Sequence, residues 1–324
     1  MNPKVSIIVP VYGVERYIER CAVSLFEQTY SNIEYVFVND ATPDKSIEIL
    51  QGVIARYPAR QKDVQIITHS QNKGLSAARN TGLDNCSGDY IWHVDSDDYI
   101  VVNAVEQLVE AAEKHNAEIV IFDINVVTQI GFYTESVGYT NKVDYIRRLL
   151  QHIEKCAHWN KFYHKALLDR TGIRSDERIR LAEDYAVTPR LMHEAQRVVM
   201  YHEPLYFYET TNQSSYVHNL KRSAVESQYE ADKILIDYFS NVSDSALYAD
   251  IVSVLPQRSM VSLVKNTNKE GWTLIRTVYR DHLDVDVRKM TLVNRVIFKL
   301  IKERKFSLLT VFFKFYRFVM RFAK

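Results

Sequence analysis

Cysteine is scarce, with three residues in a chain of 324, Cys21, Cys86 and Cys156. The number is odd and no two are neighbours. This argues against a disulfide framework and a Cys-rich zinc site, and makes a reducing cytosol the simplest compartment. Long apolar runs are lacking too. Val5 to Tyr12 is too short for a secretory signal and contains Pro10, and no uncharged apolar stretch approaches the roughly 20 residues that span a bilayer. Nor is there a low-complexity linker or an internal repeat.

The whole chain shows no surplus of charge either, with a net value of +1. That balance hides an asymmetry. The tail from Arg288 to Lys324 holds eleven Lys or Arg against one acid, Glu303, which leaves 30 basic against 39 acidic residues in the rest of the chain. An acidic body argues against a general nucleic-acid binder, whose basic patch belongs on the folded domain. With 47% hydrophobic and 25% charged residues the chain reads as globular, and it is long enough for one large domain or two smaller ones.

The apolar pattern alternates between strand and helix. Val5 to Val9 is a continuous β-branched run ending at Pro10, which predicts a strand buried on both faces near the centre of a parallel sheet. Helical spacing follows over Val14–Thr29, with Tyr17, Ile18, Cys21, Ala22, Leu25 and Phe26 on one face. The same reasoning predicts strands over Ile33–Val38, Val64–Thr68, Tyr90–Val94 and Glu118–Phe122, with helices over Ser46–Tyr57, Ser76–Asn85 and Asn103–His115 between them. This order specifies a doubly wound, mostly parallel α/β sheet with helices on both faces and ligands at the carboxyl ends of the strands. From about Gly131 the alternation breaks down, although Arg197–Tyr201 and Leu205–Tyr208 read as further strands. Beyond Lys221 the pattern is helical. The expected division is 1–220, a helical region over 221–287, and a basic amphipathic tail over 288–324.

Polar clusters fall at the predicted strand ends: Pro10 to Gly13, Asn39-Asp40, Asn72-Lys73-Gly74, and the acidic run His93-Val94-Asp95-Ser96-Asp97-Asp98-Tyr99. Taken alone, the acidic run is equally a cation site or an acidic turn that caps the next helix.

In order and spacing, the motifs resemble the inverting family 2 glycosyltransferases. They are Val5 to Tyr12, Ser24 to Tyr30, Val38-Asn39-Asp40, Asn72 to Gly82, Asp95 to Asp98, Trp159-Asn160-Lys161 and Glu183-Asp184, together covering roughly the first 215 residues. One departure is Ala41-Thr42-Pro43-Asp44, where the family usually has Gly-Ser-Thr-Asp. The resemblance implies a GT-A fold and a nucleotide diphosphate sugar donor, with a UDP-sugar expected. It assigns Val11, Tyr12 and Asp40 to the base and ribose, with Asp40 accepting an imide N–H. Lys73 and Arg79 supply positive charge near the nucleotide, and Ser96 belongs to the same donor site. Asp97 and Asp95 become the ligands of Mn²⁺ or Mg²⁺, with Asp95 also a candidate for the ribose and His218 a third candidate ligand, while Asp98 has a structural role. Asp184 becomes the base that deprotonates the acceptor hydroxyl. Glu183, Trp159 and Lys161 would then contact the acceptor, a glycan or a lipid-linked sugar.

Several of these residues have a plainer alternative. Asp40 can be a turn residue, Arg79 part of a solvated helix face, Trp159 ordinary core, and Glu183-Asp184 a pair of acids favouring a helix start.

In the tail, Arg295, Lys299 and Lys302 share a helical face, as do Lys314, Arg317, Arg321 and Lys324, with apolar and aromatic residues between them. This pattern suits a helix lying in an anionic membrane interface, which places the protein on the inner face of the cell membrane. The alternatives are docking on the body or a homodimer contact. Two rival functions remain: a sugar nucleotidyltransferase, which needs a Gly-rich phosphate loop that Pro10-Val11-Tyr12-Gly13 is not, and a noncatalytic glycan-binding protein that retains the fold.

Overall fold

Val5–Val11 (β1) is buried at every position, so this strand needs cover on both faces, and the surrounding elements provide it. In the computed structural model, which describes residues 2–212, 222–265 and 267–320, β1 pairs in parallel with Ile33–Asn39 (β2) on one side and Tyr90–His93 (β4) on the other. Val64–Thr68 (β3) extends the parallel part beyond β2. Helices Ile18–Phe26 (α1), Ser46–Arg56 (α2) and Ala104–His115 (α5) place their apolar residues in one core with Ile7, Val9, Tyr35, Phe37 and Trp92. Leu75–Asp84 (α4) covers the opposite face, where Ile8 points because successive strand residues alternate.

The rest of the sheet departs from the periodic pattern. Strand order runs β3, β2, β1, β4, then Lys161–His164 (β8), Ile119–Thr128 (β6), Val198–Glu209 (β9) and Tyr99–Ile100 (β5). Three strands carry no clear alternation signal: β5, Gly131–Glu135 (β7) and β8. β8 enters antiparallel between β4 and β6. The two short apolar runs near residue 200 prove to be the single strand β9, parallel to β6 with register shifts on either side of Asp123. The first helix is shorter than its spacing suggests and begins at Ile18. Short helices Pro58–Gln61 (α3), Lys142–Leu150 (α6), Lys165–Thr171 (α7) and Glu183–Glu194 (α8) complete the order up to β9.

The chain forms two units, residues 1–146 with 154–218, and residues 147–153 with 219–324. The second contains Arg222–Asn241 (α9), Ala249–Val252 (α10), Leu255–Lys265 (α11), Lys269–Val278 (α12), Leu292–Lys302 (α13) and Phe306–Met320 (α14). Its core joins Val225, Val261, Trp272, Ile275 and Tyr279 with Ile297, Phe298, Ile301 and Leu309. The basic tail as far as it is described therefore shares one core with the preceding helices. Among the described residues no helix is long and apolar enough to cross a membrane.

Close approach of α4 to β1 depends on Gly82, where an added Cβ would overlap the Ile8 side chain. Gly82→Ala is expected to destabilise the protein by about 1–3 kcal/mol through overpacking, read as a lower denaturation midpoint in urea.

Candidate active site

Each cluster at a strand end contributes a wall to one cavity of about 360 Å³. It is lined by Val11, Tyr12, Asp40, Lys73, Arg79, Asp95, Ser96, Asp97, Trp159, Glu183 and Asp184. Of the residues expected there from sequence, Lys161 is absent from its lining and His218 lies outside the described residues.

Asp40, just after β2, holds the loop between β3 and α4. Its Oδ1 accepts the Lys73 backbone N–H at 2.7 Å, its Oδ2 accepts that of Gly74 at 2.8 Å, and His69 Nδ1 lies 2.7 Å from Oδ1. Gly74 has φ +95°, a left-handed conformation that favours glycine, and it precedes the first turn of α4. Oδ2 keeps acceptor capacity after this single bond, so Asp40 can hold the loop and still receive one donor from the cavity. The segment that departs from the family pattern is strained and braced. Ala41 sits at φ +53°, where glycine would be at ease. The backbone N–H of Gly13 donates to Thr42 Oγ1 at 2.9 Å, and that of Glu15 donates to Asp44 Oδ2 at 2.9 Å.

Arg79 is the hub. It projects from α4 and is 2% exposed. Nη1 donates to Glu183 Oε1 at 2.7 Å and to Asp184 Oδ1 at 2.6 Å, while Nη2 donates to Asp95 Oδ1 at 3.1 Å. It is not part of a solvated helix face, since its charge is bound in buried ion pairs. One buried guanidinium ties the end of β4 to the start of α8, and its planar fork allows several carboxylates to share it. The surrounding acids hold Arg79 firmly protonated.

The acidic run separates into two functions. Asp98 turns inward, accepting the Tyr206 hydroxyl at 2.6 Å and the Glu209 backbone N–H at 2.7 Å, so it fastens β9 to the turn. Burial, then Asp97 and Asp95, push its carboxyl well above the usual range. Asp95 and Asp97 face the cavity. Asn212 donates to Asp97 Oδ2 at 2.8 Å, and burial followed by the Asp95 charge pushes the Asp97 carboxyl up to about 6. A cation would relieve this crowding. Among the described residues no three His, Cys, Asp or Glu side chains are grouped to hold a metal ion. Two carboxylates, each with one oxygen already engaged, fit a hard divalent cation that takes its other ligands from phosphate and water.

Asp184 lies at the first turn of α8, just after Ala182 in the left-handed region at φ +69°. Burial pushes its carboxyl up to about 7, with Glu183 and Asp95 adding to the rise and Arg79 opposing it. Beside it, the His158 backbone N–H donates to Oδ2 at 3.3 Å, and His158 Nε2 stands 3.4 Å from Oδ1. His158 Nδ1 is 3.0 Å from the Tyr163 hydroxyl, and burial drives this imidazole well below its ordinary pKa, so it is neutral. His158 carries no motif signal of its own and was missed in the sequence, as were Asn212 and Tyr206.

Lys161 requires a correction. The expected acceptor contact does not fit its position, because this residue lies outside the cavity lining. As the first residue of β8 it is fully buried, and Nζ donates to Ala157 O at 2.8 Å, Asn160 Oδ1 at 2.6 Å and Lys155 O at 3.2 Å. Burial lowers its ammonium to about 8. Its charge is spent on folding the turn that carries His158 and Trp159. Trp159 is 5% exposed and stacks on Tyr206 and Tyr208, each at 5.0 Å, with only a small part of it lining the cavity.

Comparison with known proteins places these features in context. Residues 6–172, just over half of the chain, match the model described as Glycosyl transferase family 2. "Uncharacterized glycosyltransferase EpsJ" of Bacillus subtilis (strain 168) is 39% identical over 227 residues, 64% of this chain and 61% of that protein. The match thus spans less than two thirds of that relative's length. The structure of S. aureus TarS 1-349 in complex with UDP-GlcNAc superposes with a TM-score of 0.67 at 17% identity, over 93% of this chain and 90% of that one. Mannosyltransferase PcManGT from Pyrobaculum calidifontis, in complex with GDP-Man and Mn2+, gives 0.54 at 14% identity, over 92% and 84%. At such identities the likeness is one of fold.

Arg79→Met leaves three acids without their shared cation. The expected loss is about 3–5 kcal/mol of stability, measured by urea denaturation near neutral pH.

Proposed function

Because the chain belongs to glycosyl transferase family 2 and has the GT-A fold, we propose that it is a metal-dependent inverting glycosyltransferase. It takes a sugar from a nucleotide diphosphate sugar, a UDP-sugar in this reading, and passes it to a hydroxyl of a glycan or lipid-linked acceptor. The observation that carries this is the pairing of Asp184 and Asp95 on one buried Arg79, beside Asp97 in a single cavity. Two acids with separate tasks are thereby fixed in one place.

Uracil would lie against Val11 and Tyr12, with its imide N–H on the remaining acceptor capacity of Asp40 Oδ2. Ser96 and Lys73 line the same cavity, and in this reading they meet ribose and diphosphate. Asp97 and Asp95 would hold Mn²⁺ or Mg²⁺, which when bound neutralises charge on the departing diphosphate. The complexes of the two fold neighbours, one with UDP-GlcNAc and one with GDP-Man and Mn2+, support the donor class and the metal.

Asp184 takes the proton from the acceptor hydroxyl as that oxygen attacks the anomeric carbon. Arg79 holds Oδ1, so the proton goes to Oδ2. A single displacement, with base and leaving group on opposite faces of the sugar, inverts the anomeric centre. A carboxyl raised to about 7 is matched to this task near neutral pH.

Turnover is expected as metal-dependent nucleotide release when a panel of nucleotide sugars is supplied with Mn²⁺ or Mg²⁺. Asp184→Asn and Asp97→Asn should each lower kcat by about 10²–10⁴-fold. Absence of release with every donor, or unchanged rates in both variants, overturns the reading.

The base acts only when ionised. The rate should therefore be full above the Asp184 pKa and fall as pH drops through about 7. That acid limb should be missing from the residual rate of Asp184→Asn.

A further inference from the structure

The outer faces of α13 and α14 take no part in that chemistry. Each helix is two-sided: Ile297, Phe298, Ile301 and Leu309 enter the core of the second unit, while apolar residues also face out. Leu292 is 75% exposed and Val296 37%, and on α14 Leu308, Val311 and Phe315 are 55%, 63% and 65% exposed. Leu292 and Val296 are one turn apart, and Leu308, Val311 and Phe315 follow i, i+3, i+7, so each helix carries an outward stripe. Exposed apolar residues aligned along one helix face and flanked by cations mark an interaction site, whereas singly scattered ones do not.

Charge selects the occupant. Arg295, Lys299, Arg304, Lys305 and Lys314 are all exposed beside the stripes. From Thr291 to Phe315 the sequence has one acid, Glu303, which pairs with both Lys305 at 2.6 Å and Lys299 at 4.0 Å. A second copy seated face to face through the same two helices would bring like charges together on an apolar contact. A bilayer with anionic headgroups offers acyl carbon to the stripes and phosphate to the cations. From these exposures and charges we infer that α13 and α14 form a docking surface for an anionic phospholipid bilayer, lying in its interface and not crossing it. The inference is independent of the transferase reading.

The test is flotation of the full chain with vesicles of phosphatidylcholine alone, and with vesicles of phosphatidylcholine and phosphatidylglycerol, at low and high salt. Binding is expected only to the anionic vesicles and should weaken as salt screens the cations. Leu308→Glu with Val311→Glu should reduce partitioning at least about tenfold, as should Lys299→Glu with Lys314→Glu. Because all four side chains point outward, thermal melting and donor turnover should match the unsubstituted chain. Phe315→Ser, which adds no charge, provides a milder variant with a smaller expected loss. No flotation, equal flotation with neutral vesicles, or unchanged partitioning of both double variants overturns the inference. So does a dimer by light scattering that Leu308→Glu with Val311→Glu dissociates.

Discussion

The Arg79 guanidinium is the interaction on which the cavity depends. Asp95, Glu183 and Asp184 come from two segments far apart in the chain, and all three contact it. Without a cation between them they would repel, by about 4 kcal/mol for a pair at 4 Å in a partly buried setting. With it they become mutually positioned. The same contact draws α8 toward the end of β4, so the geometry of the site and the packing of that corner rest on one side chain.

Around that hub the charged residues divide by task. Asp40 and Asp98 are buried carboxylates whose oxygens accept backbone N–H groups, and they shape the two turns that wall the cavity. Lys161 does the same with the opposite sign, holding carbonyl oxygens of the turn before β8. Asp97 and Asp184 are left toward the cavity with raised pKa values, because burial is only partly offset there. Asp98 is raised as well although it turns into the fold, so what separates it from Asp97 and Asp184 is access to the cavity and not the direction of the shift.

The second unit shows a related division. Its last described helices turn Ile297, Phe298, Ile301 and Leu309 inward and leave basic and apolar residues outside. Docking on the body and an interfacial face, set against each other on sequence grounds, are compatible for a helix with two apolar sides.

The sequence by itself determined the alternating strands and helices of the first half, the parallel run of β1 to β4, and much of the cavity lining, though not its 177–181 segment, Tyr208, Glu209 or Asn212. The elements were legible because burial of a strand or a helix face is written in local periodicity, and part of the site because polar clusters fall at strand ends, whereas Trp159, Glu183 and Asp184 were implied only by the resemblance to a known family. The sequence missed β5, β7 and β8, whose short runs carry no period, and it misjudged Lys161, whose motif reads the same whether the side chain faces solvent or core. Only the tertiary structure decided which groups meet. Arg79 and Asp184 stand 105 positions apart, and Tyr206 and Asp98 stand 108 apart. Such pairings depend on how the sheet is threaded, and no local pattern of residue types specifies them.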